Sequence, residues 1–201
     1  MSDIIRLPGK DRDREANQPN TIRLQDKDQL LRPLSRRAVL VIDGSTSMDH
    51  SKKRFATKGA IAFARSAVER KYSVGVIGFA NEARLICKPT TDVDRITKAC
   101  GCWPVSGGTF IGAGLKAAAQ FKLEEGDVIV VVTDGACGEP EQSLAIASTL
   151  KAVGVEILAI GTDDADQSFL QRLASRPDLG LKVEVQKLAS AISDASKLLK
   201  S

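Results

Sequence analysis

The amino-acid sequence predicts an α/β fold, a doubly wound and mainly parallel six-stranded sheet with helices on both faces. Short apolar runs, which are typical of strands buried on both faces, alternate along the chain with amphipathic stretches of helical periodicity. The chain has 201 residues, of which 43% are hydrophobic and 27% charged. This composition suits a globular protein that is large enough to bury a substantial core.

The strands are predicted from apolar runs that end at polar or turn-forming residues. Six such runs occur, at residues 38–42, 73–79, 83–87, 128–133, 155–160 and 181–185. Only a short turn containing Asn81 and Glu82 separates the second run from the third, which predicts a hairpin and therefore one antiparallel edge strand. Longer segments separate the other runs, so we expect those strands to be parallel and joined by right-handed crossovers.

The helices are predicted from apolar residues that recur at helical spacing between the strands. The six helical stretches are residues 54–70, 92–99, 111–121, 141–153, 167–175 and 189–199. Strands alternating with helices indicate βαβ units, in which helices cover both faces of one sheet.

The N-terminal part of the chain is predicted to be separate from this domain. Residues 1–36 lack the apolar runs and contain a mixed charge run, so we expect a partly ordered arm followed by one domain at 37–201. The net charge is +4, and residues 1–37 account for most of it, with nine basic and six acidic side chains. The basic excess therefore lies mostly in the N-terminal stretch, no large basic face on the folded body is indicated, and we expect no nucleic-acid partner.

The sequence also leads to an expected location. It has no apolar leader segment at its N-terminus and no apolar run near the roughly 18–20 residues that cross a bilayer. The four cysteines show no Cys-x-x-Cys spacing, so they are expected to be reduced core residues. From these features we expect a cytoplasmic protein with no membrane contact.

Oxygen-bearing side chains cluster where strands end and one helix begins. Asp43, Ser45 and Ser47 follow the first strand, Thr109 precedes the alanine-rich helix, and Asp134 follows the fourth strand. Ligands of such sheets bind at the carboxyl ends of the strands. Carboxylate and hydroxyl oxygens suit Mg²⁺, with Mn²⁺ or Ca²⁺ as alternatives, better than zinc. Each of these residues taken alone is also typical of a helix cap or turn.

These residues resemble the metal-ion-dependent adhesion site of the von Willebrand factor type A domain family. The family motif is Asp-x-Ser-x-Ser, then a distant Thr, then a distant Asp. Asp43, Ser45 and Ser47 match the first part, Thr109 the second and Asp134 the third. The family commonly has glycine between the two serines, where this chain has a threonine.

The resemblance covers about residues 37–199 and implies the Rossmann-like fold of that family. It implies that the three residues of the Asp-x-Ser-x-Ser segment hold the metal directly or through water. It also implies that Thr109 ligates when a partner is bound and that Asp134 acts mostly through water.

Three functions are compatible with this motif. The resemblance implies, first, a non-enzymatic module that binds an Asp or Glu of a protein partner through the metal. A second hypothesis is a scaffold subunit of an intracellular assembly, with AAA+ ATPases among the implied partners and a structural metal. A third is a metal-dependent hydrolase, although His50 is the only histidine and no Gly-x-Ser-x-Gly elbow occurs.

Two further groups of residues carry weaker signals. Gly112 and Gly114 loosely match a dinucleotide-binding fingerprint, but no strand precedes them, so helix packing is the better interpretation. Cys102 and Trp103 precede the segment that carries Thr109. They are predicted to fill the core, with a partner-anchoring aromatic as the alternative.

Overall fold

The structure is a computed structural model that describes residues 36–101 and 106–200. The predicted N-terminal arm apart from Arg36, and the loop residues Cys102 and Trp103, lie outside the described residues. The proposed division into an arm and a domain therefore stays a prediction.

The described residues form one six-stranded sheet with the strand order β3-β2-β1-β4-β5-β6. The strands are β1 Arg37–Asp43, β2 Ser73–Phe79, β3 Ala83–Thr90, β4 Val128–Thr133, β5 Glu156–Gly161 and β6 Gly180–Lys182. Neighbours pair in parallel except β2 and β3, which form the predicted antiparallel hairpin. The predicted fold class is therefore confirmed. The chain runs outward from β1 in one direction and from β4 in the other, so their carboxyl ends flank the topological switch point.

Burial explains why the central strands could be predicted from the sequence. Every residue of β4 is buried, and Leu40 of β1 lies in register with Val76 and Val130 on its two neighbours. The edge strand β6 is shorter than predicted. The Val183 backbone N–H donates to the Gly161 carbonyl at 2.8 Å, and the chain then turns into a 3₁₀ helix over Val185–Lys187.

Within the described residues, five α-helices connect the strands and a sixth follows β6. They are α1 His50–Glu69, α2 Val93–Ala99, α3 Ile111–Ala119, α4 Pro140–Ala152, α5 Gln167–Leu173 and α6 Leu188–Ala195. Helix α1 packs against α2 and α6, while α4 packs against α3 and α5. None of the helices within the described residues is both long and apolar enough to cross a lipid bilayer.

Helix α1 begins four residues before the predicted start at residue 54. Asp49 caps the helix, because its Oδ1 accepts the Lys52 backbone N–H at 2.9 Å. The first turn is polar, so the apolar periodicity on which the prediction depended does not reveal it. As a result, Lys52 lies in the first turn of a helix instead of a loop.

Two glycines allow close approaches, one between two helices and one between a helix and the sheet. A Cβ added to Gly59 of α1 would lie 2.8 Å from the Ala189 carbonyl oxygen of α6. A Cβ added to Gly114 of α3 would lie 2.5 Å from Val41 Cγ1 of β1. Gly114 therefore serves helix packing, as the sequence interpretation had it, and brings the start of α3 close to the end of β1.

Candidate metal centre

All five predicted site residues meet at the carboxyl edge of the sheet. The Ser45 and Ser47 Oγ atoms are 2.9 Å apart, and Ser47 Oγ donates to Asp134 Oδ1 at 2.7 Å. Because the single hydroxyl hydrogen of Ser47 goes to Asp134, Ser45 is the donor of the serine pair. Asp43, Ser45, Thr109 and Asp134 are buried, whereas Ser47 is exposed. The cluster therefore opens to solvent at Ser47.

Asp43 lies at the bottom of this cluster with no solvent exposure. Its Oδ1 accepts the Ser45 backbone N–H at 2.7 Å, and its Oδ2 accepts the Thr133 hydroxyl at 2.6 Å. Burial raises the pKa of Asp43, since desolvation outweighs the hydrogen bonds from Thr133 and Ser45, and the Asp134 charge raises it further. An ionised Asp43 is therefore a costly buried charge that a nearby cation would stabilise.

Thr109 approaches the two serines from the opposite loop. A Cβ added to Gly135 would lie 3.1 Å from Thr109 Oγ1 and 3.6 Å from Ser47 Oγ. Both hydroxyls therefore lie over the same glycine, which leaves them room because it has no side chain. The Gly138 backbone N–H donates to the Thr109 carbonyl at 2.9 Å and holds this segment in place.

The loop before Thr109 is held by Thr46 and Asn81, which the sequence interpretation did not place in the site. The Thr46 N–H donates to the Gly107 carbonyl at 3.1 Å, and the Gly107 N–H donates to Thr46 Oγ1 at 3.2 Å. The Gly108 N–H donates to Asn81 Oδ1 at 2.7 Å. Gly107 has a φ of +105°, a conformation that favours glycine. Position 46, which is free in the motif, thus ties the first loop to the loop that carries Thr109.

Lys52 is the most important residue that the sequence interpretation missed. Its Nζ lies 2.7 Å from Asp134 Oδ2, 2.6 Å from Asp163 Oδ2 and 3.0 Å from the Ser47 carbonyl oxygen. Burial lowers the pKa of Lys52, but the hydrogen bonds and charges of Asp134 and Asp163 outweigh this effect and raise it. The ammonium is therefore a fixed positive charge at the rim of the cluster.

The chemistry of the cluster fits a hard divalent cation. Two carboxylates and three hydroxyls supply only oxygen, the donor type that Mg²⁺, Mn²⁺ and Ca²⁺ prefer. No group of three or more His, Cys, Asp or Glu side chains suited to a metal occurs within residues 36–101 and 106–200. Cys87, Cys100 and Cys137 are free thiols, and His50 is exposed at the start of α1. The residues present thus fit a site with few anionic ligands.

Comparison with known protein families gives one family match. A model of the von Willebrand factor type A domain matches residues 38–198. Human matrilin-3 is 30% identical over 118 residues, which are 52% of this chain and 24% of matrilin-3. The human collagen alpha-1(XX) chain is 28% identical over 161 residues, which are 73% of this chain and 12% of the collagen chain. The chain thus spans a minor part of these relatives.

Solved structures share the fold at low sequence identity. The proximal thread matrix protein 1 of the mussel byssus has a TM-score of 0.68 and 22% identity, over 82% of this chain and 46% of that one. The same protein with a zinc-occupied MIDAS motif has a TM-score of 0.62 and 21% identity, over 81% and 46%. Manganese-loaded Plasmodium vivax TRAP has a TM-score of 0.61 and 17% identity, over 79% and 72%.

These comparisons correct the expected location. The relatives and structural neighbours include matrilins, a collagen chain, a byssus thread protein and pilus adhesins, which are extracellular or secreted proteins. The expectation of a cytoplasmic protein, drawn from the lack of an apolar leader segment, is therefore wrong.

Proposed function

Because the chain belongs to the von Willebrand factor type A domain family, we propose that it is a metal-dependent protein-interaction module without enzymatic activity. Asp43, Ser45, Ser47, Thr109 and Asp134 would hold the cation, for which Mg²⁺ is our first choice. The observation that carries this proposal is the continuous contact from Ser45 through Ser47 to Asp134 beside the buried Asp43.

The partner would supply an Asp or Glu carboxylate. A bound divalent cation would provide a Lewis-acid position for that carboxylate at the solvent-exposed side of the cluster. The three hydroxyls contribute no charge, so Asp43 and Asp134 together balance the charge of a divalent cation and leave no excess negative charge among the five ligands. The Thr133 hydroxyl and the Ser45 N–H hold the two oxygens of Asp43 in fixed directions.

The comparisons support both parts of the proposal. Proteins of the same fold have been solved with zinc in the MIDAS motif and with manganese loaded, which supports a divalent cation at the corresponding edge. The matrilin relative and the adhesins among the neighbours support a role in protein interaction. No observation on the described residues favours the hydrolase hypothesis, since the exposed His50 lies outside the hydrogen-bonded cluster.

Calorimetric titration of Mg²⁺ into chelator-treated full chain tests the proposal. We expect one cation per chain, and we expect Asp43→Ala and Thr109→Ala each to weaken binding by at least about tenfold. Asp178→Ala is the matched control, because this aspartate is exposed and pairs only with Arg176 among the described residues. Unchanged Mg²⁺ binding in both site variants would contradict the proposal.

A further inference from the structure

The Lys52 ammonium joins three separate loops of the carboxyl edge. One contact goes to the Ser47 carbonyl after β1, one to Asp134 after β4 and one to Asp163 after β5. The three N–H donors of an ammonium match these three acceptors, and the side chain is only 14% exposed. Within residues 36–101 and 106–200, no other Lys or Arg forms an ion pair with a carboxylate of the candidate site.

The formal charge of this group of residues gives the contact its consequence. Asp43, Asp134 and Asp163 contribute three negative charges when ionised, and Lys52 contributes one positive charge. A divalent cation would therefore make the loaded group neutral. Without the ammonium, the same loaded group would keep one negative charge and would repel a carboxylate from another molecule.

We infer that the Lys52 ammonium makes the cation-loaded site neutral, so that the site does not repel an anionic partner. The same positive charge lowers the affinity of the site for the cation. This inference rests on the proposed function, because it concerns the same cation and the same partner carboxylate. Lys52 is a positioning residue, since it acts through Asp134 and not by touching the partner.

The inference makes a prediction that simple bracing of the loops does not make. Removal of the Lys52 charge tightens cation binding, because the group becomes more negative, and weakens carboxylate binding for the same reason. A residue that only held the loops together would weaken both when it was removed. The two readouts must therefore move in opposite directions.

Asp163 provides the reverse experiment. Asp163→Asn removes one negative charge, so cation binding is expected to weaken and carboxylate binding to tighten. The backbone at position 163 has a φ of +48°, a conformation that asparagine also adopts readily, so this variant keeps the loop geometry. The double variant Lys52→Met/Asp163→Asn restores the formal charge of the unmodified protein.

The test uses Mn²⁺ and acetate as probes with the full chain. Mn²⁺ affinity is measured by electron paramagnetic resonance, and acetate binding is measured through the loss of water-proton relaxation by the bound Mn²⁺. We expect Lys52→Met to tighten Mn²⁺ binding and to weaken acetate binding, each by about threefold or more. Lys52→Arg, which keeps the charge, and Lys53→Met, which removes a neighbouring lysine, should each stay within about twofold of the unmodified chain.

The outcomes separate this inference from the proposed function. The inference fails, and the cation site stands, if Lys52→Met weakens the binding of both Mn²⁺ and acetate or changes neither. It also fails if the two affinities of the double variant differ from those of the unmodified chain by more than those of either single variant do. If Lys52→Met shows no cooperative thermal unfolding and is therefore not folded, Asp163→Asn alone decides. Its changes in Mn²⁺ affinity and in acetate affinity must also be opposite in sign. If the unmodified chain binds no Mn²⁺, the proposed function fails and the inference fails with it.

Discussion

The two ends of the parallel strands, the amino edge where β1 and β4 begin and the carboxyl edge where they end, use buried aspartates in different ways. At the amino edge, Asp127 accepts the Arg37 backbone N–H at 2.6 Å, the Arg37 Nε–H at 2.8 Å and the Glu124 N–H at 2.9 Å. At the carboxyl edge, Asp43 accepts the Thr133 hydroxyl and the Ser45 N–H, while Asp134 accepts the Ser47 hydroxyl and pairs with the Lys52 ammonium. The first arrangement consists of N–H donors alone, whereas the second includes hydroxyl groups.

The difference teaches which buried carboxylates can serve function. Arginine and backbone N–H groups can only donate, so the groups around Asp127 offer a cation no further oxygen ligand. A hydroxyl both donates and accepts, so Ser45, Ser47 and Thr109 can turn a lone pair toward a cation without any change in the backbone. The amino edge therefore stabilises the fold, and the carboxyl edge can exchange internal hydrogen bonds for a ligand.

The largest effect is expected from breaking the amino edge. Arg37→Met leaves the buried Asp127 carboxylate without its ion-pair partner, which lies at 2.8 Å, and we expect a loss of about 3 kcal/mol in the free energy of unfolding. Urea denaturation measures this loss. Cation affinity of the folded protein should be unchanged, because Arg37 lies at the opposite edge.

Arg172→Met is the control for this comparison, because its ion pair with Glu141 is exposed and should contribute about 0.5 kcal/mol or less. Equal losses in the two variants would contradict the structural role assigned to the amino edge.

An intermediate effect is expected when the space between the site hydroxyls is filled. Gly135→Ala places a Cβ 3.1 Å from Thr109 Oγ1, so the hydroxyl must shift, and we expect cation affinity to fall by about tenfold. The free energy of unfolding should change by about 1 kcal/mol or less, since no core contact is lost. Calorimetry and urea denaturation measure the two quantities.

Gly138→Ala is the matched control, because its Cβ would meet the Phe110 ring at an ordinary 3.6 Å. If Gly138→Ala weakens cation binding as much as Gly135→Ala does, the effect of Gly135→Ala does not come from the Thr109 hydroxyl.

The smallest effect concerns pH. Because the pKa of Asp43 is raised in the folded state, the folded protein binds a proton there more tightly than the unfolded chain does. Without a cation, stability should therefore fall as pH rises from the ordinary value of 3.8 through the raised pKa. Asp43→Asn removes this contribution, so unfolding curves recorded in a chelator should show a shallower fall with pH. An identical pH dependence in the two proteins would show that Asp43 carries no such charge cost.

Much of the fold follows from the apolar pattern. The run at residues 128–133 is fully buried and coincides with β4, because a strand covered on both faces excludes polar residues. The exposed edge strand β6 lacks that constraint, and its predicted length was wrong. The expected location was also wrong, because it was drawn from the lack of an apolar leader segment and not from any feature of the folded domain.

The convergence of the five candidate residues was predicted from the sequence, whereas part of their surroundings was not. The five motif residues are close in the structure because the ends of β1 and β4 flank the switch point. Lys52 and Thr46 were missed for a physical reason. Lys52 acts through its contact with Asp163, and Thr46 acts through its contact with Gly107, which is more than 60 residues away. Local periodicity in the sequence does not reveal such long-range contacts.

The most direct test of the central claim is the position of a bound cation in a crystal of the full chain. Anomalous scattering from Mn²⁺ locates the ion without assumptions about its ligands. We predict one strong peak bounded by the side chains of Ser45, Ser47 and Asp134. A peak elsewhere on the molecule, or no peak at saturating Mn²⁺, would contradict the assignment of the carboxyl edge as a metal centre.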